Sequence, residues 1–391
     1  MRMDAASGID KSYVLDLLKE LVATNSVNPT VGKGPGEAAI AKLLQDRLNS
    51  IGGLDIRMQP VADGRSNVIG ILKGSGGGRS LMLNGHMDTV GVDGMIIEPF
   101  KPSIQNGLMR GRGACDMKGA LAAMMGAAKS VIDSRMKLRG DLIFSAVVDE
   151  EYKSLGITKL IEECKADAAI VGEPTDMRVA TTHKGFVWIE IEVKGKAAHG
   201  SVPEKGVDAI AHAAKIMSAV EKLQRQLASQ VHPLLGTPKI HASTVQGGTD
   251  WSIIPERCVL RLERRTLPGE TVASVMAEIE GILQAIRRET TDFNATAHSP
   301  YDMAPLETAE SEEIVQTAQR ALAANMGTRV PVIGVPYWTD GALLSSMGSI
   351  PTCLFGPGDI GVAHSADEYV KLENVLTSAH VYRGIIQEYC S

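Results

Sequence analysis

The chain is short of aromatic residues: three Trp, seven Tyr and five Phe in 391 positions. It also lacks a Lys/Arg stripe with aromatics between, and its net charge of -6 is modest. A nucleic-acid partner is therefore not expected. Cysteine is sparse and scattered, at Cys115, Cys164, Cys258, Cys353 and Cys390, with no CxxC pair. An odd, dispersed set argues against a disulfide frame and for reduced thiols in a cytoplasmic protein. No apolar run is long enough to cross a bilayer. The opening "MRMDAASGIDKSYVLDLLKEL" has no apolar signal core and reads as a charged lead into an amphipathic helix. There is no G-x-S-x-G elbow, which argues against a serine hydrolase. The "GSGGG" run is not followed by Gly-Lys-Ser/Thr or a helix, so a phosphate loop is a poor reading. No repeat or low-complexity tract occurs.

Aliphatic residues and 40 glycines are plentiful, as suits a Val/Ile/Leu-rich buried sheet. The length predicts two domains. "KSYVLDLLKELVAT", "GEAAIAKLLQDRLNSIG" and "MKGALAAMMGAAKSVIDS" have helical spacing, whereas "SNVIGILKG", "RSLMLNG", "GDLIFSAVV" and "ADAAIVG" read as buried strands. Strands alternating with helices predict an α/β fold with a mostly parallel sheet covered on both faces. The pattern then changes. "HKGFVWIEIEVKG" and "CVLRLERRTLPGE" alternate strictly, and two amphipathic helices accompany them. Together they form an α+β block over 184–297. Afterwards a helix near 310–326, the strand "SIPTCLFG" and a last helix resume the first pattern. The simplest architecture is a catalytic domain from 1–183 plus 298–391, with 184–297 inserted.

Several strands of the first pattern run into an acid or a histidine. "SLMLNG" leads to His86 and Asp88, "LIFSAVVD" to Glu150 and Glu151, "AAIVG" to Glu173, and "PTCLFGPG" through a loop to His364. "RGRGACD" brings Asp116 just before a helix. In open α/β sheets sites form outside the carboxyl ends of the strands. Two histidines with three or four carboxylates make a nitrogen/oxygen site for zinc, cobalt or manganese, and one carboxylate can bridge two ions. In "HMD" the first and third side chains project to the same side, so Asp88 can accept the histidine's second N–H. In "DEE" the neighbours point apart, so one can bind metal while the other handles protons.

Taken singly, each has a simpler reading. His-x-Asp can be a strand-end polar pair, Glu150–Glu151 the first turn of a helix, and Asp116 an N-cap. Glu173 can be a turn acid and His364 a solvated loop residue. Their recurrence at one sheet edge is what packing does not explain.

The stretches "SVNPT", "NGHMDTV", "GRGACDMKGALAA", "DEE", "VGEPT", "GKAAHGSVPEKGVDAI", "RRTLPGE", "FGPG" and "AHSADEYV" together resemble one family. It is that of the dinuclear metallohydrolases that include acetylornithine deacetylase, succinyl-diaminopimelate desuccinylase, aminoacylase and the glutamate carboxypeptidases. The resemblance implies a catalytic domain with an inserted, ferredoxin-like lid that dimerises. It implies two divalent ions, zinc first, with cobalt or manganese as alternatives. His86, Asp116 and Glu173 would hold one ion; Asp116, Glu151 and His364 would hold the other. Glu150 would be the general base for a metal-bridged hydroxide, with Asp88 orienting His86. A cis peptide would follow Asp116. His199 would stabilise the oxyanion, often in the partner subunit's site, and Arg265 would bind a substrate carboxylate. Without the resemblance, His199 is a structural or solvated loop histidine and Arg265 one member of an ion-paired strand face.

Ser252 and Asp208 stand where the family commonly has asparagine, and "YWTDGALL" lacks an arginine some members carry. These departures touch the substrate rather than the metals. Asp340 in that segment reads as a helix cap, and Cys115 as a small buried thiol. The expected reaction is amide hydrolysis in a small, carboxylate-bearing N-acyl amino acid by a cytoplasmic homodimer. The runner-up is a dipeptidase or glutamate-carboxypeptidase activity. Two other classes are a retired binding protein on the same scaffold and a metal-independent cysteine amidase acting through Cys115.

Overall fold

The computed structural model describes residues 8–391; the first seven residues of the predicted N-terminal lead lie outside it. The chain folds as two compact units. The first runs through Thr181 and takes in Thr308–Ile333 and Thr339–Ser391; the second holds Thr182–Glu307 and Gly334–Trp338.

The first unit is built on a sheet whose strands run in the order Asp55–Ala62, Arg65–Leu72, Leu142–Val147, Leu81–His86, Ala168–Val171, Thr352–Leu354 and Ala180–His183. Its centre, from Leu142–Val147 to Thr352–Leu354, is parallel. Antiparallel strands extend both edges. The fold is therefore mixed α/β with a parallel core, and the central strands are short fully buried runs. Their parallel sense places all four carboxyl ends on one edge.

Leu81, Leu83, Leu142, Phe144, Ala168 and Ile170 share a core with helices Lys11–Ala23, Gly119–Asp133 and Leu372–Tyr389. Helix Gly119–Asp133 is buried along most of its length. Its small residues permit this: a Cβ on Gly126 would stand 2.3 Å from Cγ2 of Val14. Helices Leu155–Glu163 and Gly341–Ser346 pack together outside that cluster. No helix of the described residues is long and apolar enough to cross a membrane. All five cysteines are buried and free.

The second unit carries a four-stranded antiparallel sheet in the order Lys239–Gly247, Arg257–Thr266, Gly185–Lys194, Asn294–Met303. Helices Ala209–Leu227 and Val272–Glu289 cover the face of Val187, Ile189, Ile191 and Val193. Element order and strand order are those of a split β-α-β fold. The two strands that alternate in the sequence are the central ones. The edge strand Lys239–Gly247 is exposed nearly throughout and carries no alternation, and Asn294–Met303 alternates only between exposed and mostly half-buried residues. The latter continues to Met303.

Candidate active site

His86 ends its strand and is almost wholly buried. Its Nδ1 lies 2.9 Å from the backbone carbonyl of Asp88, which fixes the ring and aims Nε2 at Asp116 Oδ1, 3.0 Å away. The expectation that the Asp88 carboxylate receives that N–H needs correction, since its Oδ1 stands 3.7 Å from Nδ1. The carboxylate instead accepts the backbone N–H groups of Glu150 at 3.1 Å and Glu151 at 3.2 Å, and Asn28 Nδ2 at 2.8 Å. Asp88 thus anchors the acid pair, while its main chain orients the histidine. Burial pushes its carboxyl up to about 7.

Asp116 lies where the Gly113 turn meets helix Gly119–Asp133, and the Asp116–Met117 peptide is cis. Its two oxygens face two histidines: Oδ1 to His86, and Oδ2 to His364 Nε2 at 3.3 Å. Burial opposes charge there, but hydrogen bonds to His364 and His86 outweigh it and hold the carboxyl well below its usual range. His364 Nε2 also lies 3.3 Å from Glu151 Oε1. Its hydrogen bonds to Asp116 and Glu151 raise it to about 10. Donor atoms of His86, Asp116 and Glu151 lie within 4.8 Å of one another. Glu173 follows strand Ala168–Val171, with Oε1 at 3.9 Å from His86 Nε2. That oxygen is buried and accepts no hydrogen bond. Burial, then the charge of Asp116, pushes the Glu173 carboxyl well up; burial does the same to Glu150.

The structure therefore gathers His86, Asp116, Glu151, Glu173 and His364 around one carboxylate, with Glu150 beside them on the Asp88-anchored loop. Cys115 donates to the carbonyl of Asp359 at 3.2 Å, and burial holds its thiol in the neutral form. That is a structural thiol, not a nucleophile.

Several residues here escaped the sequence reading. Asn28 Nδ2 bridges Asp88 to Asp149 Oδ1, 3.1 Å away. Arg65 Nη2 binds Asp149 Oδ1 at 2.8 Å and Glu37 Oε1 at 2.5 Å. Asn28 and Asp149 lie inside or beside quoted motifs, and Arg65 has no local signal because its partners are distant in the chain. Asp340 stands at the N-cap position of helix Gly341–Ser346, but its side chain makes no capping bond, contrary to the expected role. It is fully buried, and burial pushes it up to about 7.

His199 and Arg265 belong to the second unit. His199 is exposed on a two-residue strand paired with Ile253–Ile254. Its Nδ1 accepts the backbone N–H of Ser201 at 3.2 Å and faces the Ser201 hydroxyl at 2.7 Å. An Nδ1 that accepts leaves the ring proton on Nε2. Arg265 pairs with Glu263 at 3.0 Å, and its guanidinium carbon lies 5.5 Å from the Phe186 ring centre. Arg264 turns the opposite way, wholly buried against Glu270. The two arginines of "RRTLPGE" thus divide into a structural and an outward one.

Residues 82–388 match the model of peptidase family M20/M25/M40. An acetylornithine deacetylase of Myxococcus xanthus is 30% identical over 95% of this chain and 96% of its own length. The N-formyl-4-amino-5-aminomethyl-2-methylpyrimidine deformylase of Bacillus subtilis (strain 168) is 30% identical, covering 97% of this chain and 95% of that one. Among solved structures, aminopeptidase PepT from Bacillus cereus superposes with a TM-score of 0.83 at 22% identity, covering 98% of this chain and 100% of that one. The chain belongs to peptidase family M20/M25/M40 and is a hydrolytic enzyme acting on amide bonds.

Proposed function

We propose that the protein removes a small acyl group from an amine nitrogen, using two divalent metal ions held in the first unit. The observation that carries this is Asp116, whose two oxygens face two different histidines, each backed by a further carboxylate. His86, Asp116 and Glu173 would hold one ion, and Asp116, Glu151 and His364 the other. The donor set fits. It is all imidazole nitrogen and carboxylate oxygen, and it includes a buried Glu173 oxygen that no protein group satisfies. Zinc suits these ligands, as do cobalt and manganese. When bound, the ions supply Lewis acidity toward water and the scissile carbonyl.

The remaining steps belong to the chain's own groups. Glu150, whose carboxyl burial raises above its usual range and so makes a stronger base, takes a proton from the attacking water as the carboxylate and returns it to the leaving amine. Asp88 fixes the backbone of Glu150 through its N–H. His199, with its proton on Nε2, is a ready donor to a developing oxyanion. Arg265 would exchange Glu263 for a substrate carboxylate, which an outward guanidinium suits by its fork of donors. The second unit is read as a lid that also joins two chains in a homodimer, and buried free thiols suit a reducing cytoplasm.

Deacylation is preferred over peptide cleavage because both relatives at 30% identity are named for removing an acetyl or formyl group. The test is amine release from a panel of N-acetyl, N-formyl and N-succinyl amino acids and from dipeptides, with zinc, cobalt and manganese supplied in turn. Turnover of acyl amino acids well above dipeptides is expected. Dipeptides alone being cleaved would overturn the assignment.

A further inference from the structure

Glu368 is fully buried, four residues after His364 in "AHSADEYV". Its carboxylate gathers four donors from the loop that carries Asp116. Oε1 accepts the backbone N–H of Cys115 at 2.9 Å and of Asp116 at 3.1 Å. Oε2 accepts the backbone N–H of Gly113 at 2.9 Å and Nη1 of Arg112 at 2.7 Å. Three N–H groups from one turn converging on a single anion form a backbone nest, and Gly113, at φ +80°, supplies its left-handed residue. The same two segments are joined again by the main chain. Gly111 N donates to the carbonyl of Glu368 at 3.1 Å, and strand Tyr369–Lys371 pairs with Leu108–Arg110.

A buried ion pair alone would be weak reason to assign a role, since apolar packing often replaces one without loss. What sets Glu368 apart is where its bonds go. Two of the four end at or next to Asp116, and its own segment carries His364. One side chain therefore ties together the two residues that approach each other at 3.3 Å. His86 and Glu173 hang from other strands and receive nothing from it.

We propose that Glu368 is a positioning residue that sets the separation of Asp116 and His364, and through it the affinity of the metal position these two share with Glu151. This rests on the two-metal reading above. Groups that orient metal ligands through hydrogen bonds typically change metal affinity about 10–100-fold when removed.

The test is a Co²⁺ titration of the metal-free full-length protein, followed by visible absorbance and calorimetry, in wild type, His364→Ala and Glu368→Gln. Glutamine keeps the shape, but its amide NH₂ must face donors. His364→Ala identifies which binding event belongs to the Asp116/Glu151/His364 position. In Glu368→Gln that event should weaken about 10–100-fold, while the other, which shares Asp116 but not His364, weakens by a clearly smaller factor. Both events weakening by the same factor, or neither changing, would overturn the proposal. If Glu368→Gln does not fold by circular dichroism, Arg112→Gln removes one of the two donors to Oε2, leaving the Gly113 N–H, and should weaken the same event by a smaller factor. No selective change there would also overturn it. A wild type that binds fewer than two ions would instead sink the two-metal reading, so the two failures are distinguishable.

Discussion

Glu150 and Glu151 are chain neighbours held by the same carboxylate, yet their side chains have different company. Glu151 faces His364 at 3.3 Å; Glu150 makes no such contact, and burial raises its carboxyl, which strengthens it as a base. Glu150→Gln should therefore keep both ions and the fold while turnover falls by about 10²–10⁴-fold. Metal analysis beside kcat checks this, and near-normal kcat would refute the base assignment. His199→Ala removes a donor, not a ligand. It should lower kcat by about 10²–10³-fold with metal content unchanged. If His199 acts across a dimer, mixing that variant with Glu150→Gln should restore part of the activity. His364 gives a pH signature. Its pKa in the metal-free fold, about 10, lies above the ordinary 6.5. The stability it contributes is thus complete below 6.5 and lost as pH rises through about 10. The melting temperature of the metal-free protein should fall across that window more steeply than that of His364→Ala. Metal must also displace this proton, so affinity should rise with pH over the same range.

The elements explain which parts of this could be read in advance. The central strands announce themselves because short apolar runs end in acids and histidines, and their parallel sense puts those ends together. The strand-end places of His86, Glu151 and Glu173 were legible for that reason, while Asp116 and His364, on loops, were singled out with the help of the motif resemblance, which also supplied the proposed ligand roles. The role of Asp88 was only half legible. Side-chain projection along a strand does not reveal that the chain turns at Asp88 and offers its carbonyl instead. The support of the acid loop was legible only in part. Asn28 and Asp149 sit in the quoted stretches "SVNPT" and "DEE", but nothing local says that they meet Arg65 and Glu37 from distant parts of the chain. In the second unit, edge strand Lys239–Gly247 hides because exposure removes its alternation, and Asn294–Met303 because its inner face is mostly only half-buried. The Arg65 network makes a prediction at this scale. Arg65→Met leaves Glu37 and Asp149, both fully buried, without their cation, and should cost about 3–5 kcal/mol. Urea unfolding of the metal-free protein measures this; a loss under about 1 kcal/mol would place the loop's support elsewhere.

At the scale of the whole molecule, one unit gathers the acids and histidines, and the other carries His199 and Arg265, the residues proposed to meet the substrate. The family match and two relatives at 30% identity fix the chemistry as amide hydrolysis. The central claim, that Asp116 bridges two ions, is tested most directly by metal stoichiometry. Metal-free wild type, Glu173→Ala, His364→Ala and Asp116→Ala would each be equilibrated with zinc, dialysed and measured by mass spectrometry. The expected counts are two ions per chain for wild type, one for each of the two single-ligand variants, and none for Asp116→Ala. Two ions retained by Asp116→Ala, or a single ion in wild type, would contradict it.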